Sequence, residues 1–360
     1  MRLARTFRSA PVAGAATLLA LGSACGIPTE APRWDTTWIV PVKSDSVTVS
    51  QVVPTGVTVS TGLFMVDVSG DSVSSSLGTF CGVLCAAANG NTVPKPAFSA
   101  THTTMVSFPA KVDSVVLAPG NSAQIQIRNG FSFDPIRPAG GPTGRIISTL
   151  VAAGNDTLAA DTLDGATNAL GAGVTLLRTV ALPSGRAFAG PITVVQQVIS
   201  PAGSGLVTID TAQQFGMTAP SKSYSVSSAT VQVVNDTVNS ATSTIDLANV
   251  DNQIRDRVDS ARVEITTQNP LPIVGTFMLH FQELGVDLIA PKNIALAVGT
   301  QTSAVLLSGP EIRALLGRTI TVSFAGTVSA TGGTAITVLP SDQVHISSKV
   351  FLHIPLGSGS

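Results

Sequence analysis

The sequence predicts an all-β protein: antiparallel β-sandwich architecture, arranged as two sandwich-like domains with one or two short helices. Three observations carry that prediction. Charged residues make up 11% of the 360 residues and hydrophobic ones 44%, whereas ordinary globular chains carry about 25% charge and disordered ones combine low hydrophobicity with high net charge. Short runs alternate apolar and polar residues, the pattern of strands with one buried face. Between the runs stand Gly, Pro, Asn and Asp clusters of the kind that terminate strands and build turns.

The elements follow in chain order. Arg33 to Val42 holds both tryptophans, Trp34 and Trp38, and reads as a first strand whose aromatics plug the core, the other reading being an interfacial belt at lipid headgroups; it leads into the alternating Ser46-Val47-Thr48-Val49-Ser50, which favours the strand. Ala123 to Asn129 alternates and then runs to Phe131 and Pro135. Ala261 to Thr266 does the same and reaches Asn269-Pro270-Leu271-Pro272. In both, a strand enters a turn through Asn, which suggests two copies of one plan. Helices are expected at two places. Asn249 to Ser260 has Ile254 and Val258 one turn apart, and Ser308-Gly309-Pro310-Glu311 offers a cap-like serine, an early proline and an acidic first turn before Gly317. Ile320 to Phe324 and Ala335 to Leu339 are expected to form a hairpin through Gly332-Gly333, since paired glycines supply the positive φ angles of a tight turn.

The N-terminus carries an address. Arg2, Arg5 and Arg8 precede an apolar stretch from Val12 to Leu21, and Gly22-Ser23-Ala24 stand before Cys25. This is the layout of a secretory signal, and the apolar stretch is far short of the roughly 20 residues that span a bilayer. The segment resembles the lipobox of bacterial lipoproteins, with Leu21 four residues before the cysteine where the lipobox leucine stands three before. The resemblance implies removal of residues 1–24 through the general secretory pathway and diacylation of Cys25. It also implies a cell-envelope location, with outer membrane favoured over inner because Gly26 rather than Asp follows the cysteine. Residues 25–45 then comprise the lipid attachment site, a tether and the first strand. Residues 46–250 form an N-terminal β-rich region with a first sandwich from about 100, and residues 251–360 a C-terminal sandwich. At Asn269-Pro270-Leu271-Pro272, approached by Val263 and Ile265 and followed by Phe277, Leu279 and Phe281, the C-terminal part resembles the WHy or late-embryogenesis-type-2 β-sandwich. That resemblance implies a fold without an established catalytic site. The whole chain is similar to large secreted bacterial lipoproteins, a group defined by the anchor rather than by one activity.

Chemistry is sparse in the sequence. Without residues 1–24 the chain has 17 basic and 21 acidic side chains, a formal charge of −4, and nothing that would gather nucleic acid. Of the remaining cysteines, Cys81 and Cys85 are expected to form a local disulfide, since zinc sites need four ligands and no second pair stands at ligand spacing. His102, His280, His345 and His353 form no His-Glu-x-x-His arrangement, and no Gly-x-Ser-x-Gly elbow is present. His280, on the face opposite Phe277, Leu279 and Phe281, is expected to point to solvent. Asp246, Asp251, Asp256 and Asp259 lack the glycine and spacing of a calcium loop and read as a solvated helix face. Asn155-Asp156-Thr157 and Asn235-Asp236-Thr237 read as turns. A membrane barrel is disfavoured, with aromatics at 4% and a Gly357-Ser358-Gly359-Ser360 tail. The expectation is a non-enzymatic protein with no metal or cofactor that binds or scaffolds an envelope protein or polysaccharide. The alternative is a carrier of an apolar, lipid-like ligand, favoured by a mean hydropathy of +0.39.

Overall fold

The computed structural model describes residues 34–240 and 242–356 and is all-β, with sheets built from antiparallel neighbours. In the first sandwich, one four-stranded sheet orders its strands Asp156–Asp164, Arg145–Ala152, Ile192–Ser200, Phe98–Val106. The facing sheet orders Thr175–Ala181, Ser122–Asn129, Gln214–Ala219, Asp71–Ser76. Their inner faces meet in an aromatic cluster: Phe80 contacts the rings of Phe98, His102, Phe131 and Phe215, with centroids 4.7–5.7 Å apart. Such tilted and edge-on pairs add to the area they bury.

The second sandwich stacks the sheet Trp34–Thr48, Gln343–Leu356, Ser260–Asn269, Gly299–Ser308 on a six-stranded sheet centred on Thr319–Ala330 and Ile273–Glu283. Here the pairing crosses the expected division of the chain. The first strand lies beside the last, paired from Trp34↔Leu356 to Thr48↔Gln343 with a shift of register between Val42 and Asp45. Strands Asp236–Asn239 and Ser243–Asp246, expected in the N-terminal region, pair with Thr319–Ala330. The first sandwich is thus an insertion between the first strand of the second sandwich and the rest of it. A further six-stranded sheet, centred on Val112–Leu117 and Lys222–Gln232, joins the two parts of the chain.

That joining sheet overturns the expected hairpin. Ala335–Val338 pairs with Lys222–Gln232, while Thr319–Ala330 stays in the second sandwich between other partners. Gly332 does adopt a positive φ of 72°. The glycines make the bend, but a bend does not choose the next partner, and Ile336 and Val338 are buried in the joining sheet instead.

Three α-helices occur among the described residues. The expected α2 (Asn252–Arg257) is capped by Asp251, which accepts from the Gln253 N–H at 2.7 Å. The expected α3 (Gly309–Leu315) opens with Pro310, and Glu311 accepts from the Ser308 N–H at 2.9 Å. The helix α1 (Leu77–Ala87) was not expected, because two glycines stand inside it. Gly82, at φ 57°, breaks it into two turns, and the Cys81–Cys85 disulfide spans that break with Cα atoms 5.6 Å apart. Trp38 also departs from the reading of a core plug. It lies at the sheet edge, 44% exposed, because Trp34–Thr48 has a partner on one side alone. The 1–24 signal, Cys25 and the tether lie outside the described residues, as does the tail from Gly357.

Candidate functional site

The repeated Asn turn is real in three dimensions. Asn129 is fully buried at the end of its strand; its Nδ2 donates to the carbonyls of Phe133, Leu170 and Gly171 at 2.7–3.0 Å, and its Oδ1 accepts from the Phe131 N–H at 3.0 Å. Asn269 does the same one sandwich later. It donates to Ile273 O at 2.8 Å and Ala297 O at 3.1 Å and accepts from the Leu271 N–H at 3.1 Å. In each copy one amide bonds the N–H two residues on and the carbonyl four residues on, pinning the turn to a neighbouring loop. Buried backbone groups need such partners.

In the first copy, the outer face of this sheet is a polar groove of about 830 Å³. Pairing sets its rows. Thr175, Arg128, Gly216 and Ser74 are successive partners across four strands, and Leu177, Gln126, Thr218 and Ser72 form the next row. The lining contains no Asp or Glu; Val73 is its one bulky apolar member, and Leu177, exposed at the end of the second row, lies outside it. Arg178, Arg186, Arg262 and Arg318 are each held by a carboxylate. Arg128, among the described residues, has none within ion-pair distance and is exposed.

A second hollow, about 670 Å³, lies on the outer face of the sheet containing the first and last strands. Ile39, Phe351, Arg262 and Leu306 are partners in one row. Arg262 stacks on Phe351 at 4.9 Å, and Leu306 is 72% exposed. In the adjoining row are His353, Ser260 and Ser308. Asp259 accepts from the His353 Nδ1 at 2.7 Å and from the Ser260 hydroxyl at 3.0 Å, and these bonds, the imidazole first, hold its carboxyl below the usual range. A nucleophilic serine passes its proton to the imidazole; the single proton of Ser260 is committed to Asp259. Ser308 likewise donates to Glu311. Lys292, bonded at 2.5 Å, and then Ser308 push the Glu311 carboxyl down to about 2, so it is an anion at any ordinary pH rather than a proton donor.

The other flagged residues disperse. His102 is buried in the aromatic cluster, where burial lowers its pKa. His280 is half-buried rather than open to solvent, with Nδ1 3.1 Å from Asp287, and His345 is exposed. Asp246 accepts from the Ala248 N–H. Asn155 and Asn235 take positive φ angles, 65° and 52°, as turn residues do. Arg128 and Gly216 were missed from the sequence. The available signal was a glycine inside the otherwise alternating run Gln214-Phe215-Gly216-Met217-Thr218, which marks a bulge or a close approach of something to the backbone.

No family model matches the chain, and no curated protein matches it. Among solved structures it is similar to one described as a secreted protein from Parabacteroides distasonis, at 11% identity and a TM-score of 0.33, over 90% of this chain and all of that one. It is also similar to a structure of the Gt strain of infectious bursal disease virus, at 13% identity and a TM-score of 0.17, over 92% and 72%. A third is the tandem domain CBM22-1-CBM22-2 of Paenibacillus barcinonensis Xyn10C, at 7% identity and a TM-score of 0.14, over 87% and 97%. No helix among the described residues is long and apolar enough to cross a membrane.

Proposed function

We propose that this is a non-enzymatic protein of the cell envelope, exported by its signal, anchored by lipid on Cys25 and favouring the outer membrane, which binds polysaccharide through the polar groove. The groove is the observation that carries this. Protein interfaces concentrate aromatic and apolar groups in their centres, whereas this lining offers hydroxyls and amides, among them Ser72, Ser74, Gln126 and Thr218, which match the hydroxyls of a glycan. The second sandwich is proposed to be of WHy type on the strength of its Asn269-Pro270 turn.

The test is affinity electrophoresis of the mature protein in gels containing soluble polysaccharides, with mass spectrometry of the membrane-extracted form. Retardation by at least one glycan and a diacylated Cys25 are expected. Mobility unchanged by every glycan would remove the binding reading, and an unmodified Cys25 would remove the anchor. Specific capture of an envelope protein at the same face would replace polysaccharide by protein. The apolar hollow beside Leu306 and Phe351 favours a second reading, carriage of a lipid-like ligand. That reading requires lipid other than the Cys25 anchor to co-purify with the protein.

A further inference from the structure

We propose that the groove is selective for acidic polysaccharides: the carboxylate of a uronate-type sugar docks on Arg128, over floor left open by Gly216. This deepens the polysaccharide reading above and rests on it. The argument begins with the glycine. Inside other strands glycine is forced by packing, since a Cβ on Gly275 would stand 2.2 Å from Thr327 O and one on Gly326 2.2 Å from Thr276 O, or by a positive φ, as at Gly299 where the strand begins. At Gly216 nothing forces it. Its φ is not positive, and an added Cβ would meet Val73 O at 3.7 Å and Ser74 Cβ at 3.8 Å, ordinary contacts. Glycine inside a strand weakens it, so this strand carries a cost that the fold does not require.

What the missing side chain provides is space beside one particular group. Gly216 is the direct partner of Arg128, so the arginine side chain leaves the sheet beside a position that carries none, and both line the groove. Thr175 flanks it on the other side and Ser74 lies beyond the glycine. A guanidinium presents a planar fork of N–H donors that fits a carboxylate in a bidentate pair, and no acidic side chain in the lining competes for it. The ligand matching this row is anionic and planar at its charge and rich in hydroxyls around it. A uronate residue is such a ligand; a neutral sugar leaves Arg128 without a counter-charge.

The experiment is affinity electrophoresis and calorimetry of the full mature chain with polygalacturonate and alginate, against neutral dextran and dextran sulfate at matched ionic strength. Preference for the uronate polymers is expected. Arg128→Ala should weaken that binding at least about tenfold, as loss of a charge-assisted pair does, with Arg128→Lys intermediate. Gly216→Val should abolish it while the melting temperature is kept or raised, since a β-branched residue suits an extended strand. Equal binding of dextran, untouched by Arg128→Ala, would overturn the selectivity and leave the polysaccharide reading standing. Binding of no glycan overturns both. Dextran sulfate binding as tight as uronate, and lost with salt, would make Arg128 a diffuse charge and also overturn the proposal.

Discussion

Replacing Asn129 or Asn269 by alanine is expected to lower unfolding free energy by about 3 kcal/mol each, because each change strands several buried backbone groups at once, and a buried group left unpaired costs about 1–3 kcal/mol. The two amide hydrogens of Asn129 are shared among three carbonyls, of which Gly171 O also accepts from the Val174 N–H, and its oxygen takes one N–H; Asn269 serves two carbonyls and one N–H. Aspartate at either position should be worse than alanine despite its similar shape: it has no N–H to offer, so it turns an ionised oxygen toward those carbonyls. Thr266→Ala, which removes an exposed hydroxyl contact to Thr302, is the control and should fall within about 0.5 kcal/mol. Urea denaturation at constant m-value measures all of these. A loss below about 1 kcal/mol at both asparagines would show that water replaces the amide, and that the turns do not depend on it.

The second large effect is a pH dependence centred on Lys95. This lysine is 2% exposed, packs against the rings of Phe98 and Phe133 at 5.6 and 5.5 Å, and donates to Ser200 Oγ at 2.7 Å and Pro201 O at 2.5 Å. Burial pushes its ammonium from 10.5 down to about 8, while Asp134 pulls the other way. The folded chain therefore releases this proton near pH 8, and the unfolded chain holds it to about 10.5. Between those values the unfolded state binds more protons, so stability rises with pH, and below pH 8 the whole contribution is gone. The shift corresponds to about 3 kcal/mol. Stability of the wild type relative to Lys95→Met should therefore climb by about that amount from pH 8 to 10.5. The difference isolates this group from Tyr224, whose pKa burial raises. A flat difference would mean that the ammonium stays charged in place.

Much of this architecture is legible in the sequence, and the illegible parts share a physical cause. Alternation marks strands because one face is buried, and the runs at Ala123–Asn129 and Ala261–Thr266 are strands with the expected faces inward. The Asn turns are legible for a local reason, since their bonds reach two and four residues along the chain. Partner choice is different. It depends on which edge is open in three dimensions, so Gly332-Gly333 signals a bend and says nothing of the distant strand that Ala335–Val338 joins. The helix α1 is hidden because Gly78 and Gly82 oppose it locally, while the buried Leu77 and Phe80, a hydrogen bond from the Thr79 N–H to Ser76 Oγ, and the disulfide favour it. The groove is hidden for the opposite reason. Its outward residues are ordinary polar side chains, and what makes them a site is the transverse row, which exists once four separated strands are side by side.

The pairing of Trp34–Thr48 with Gln343–Leu356 sets the timing of assembly. A chain made from its N-terminus has its first strand of 15 residues waiting with both edges unpaired until nearly 300 further residues have followed. The inserted first sandwich can close in the meantime from its own strands. The second cannot, so a chain stopped before Gln343 would keep a finished insert beside a sheet that lacks its second strand, with Trp34–Thr48 unpaired and Ser260–Asn269 held by Gly299–Ser308 on one side alone, and would present to other chains the unpaired strand edges that aggregation uses.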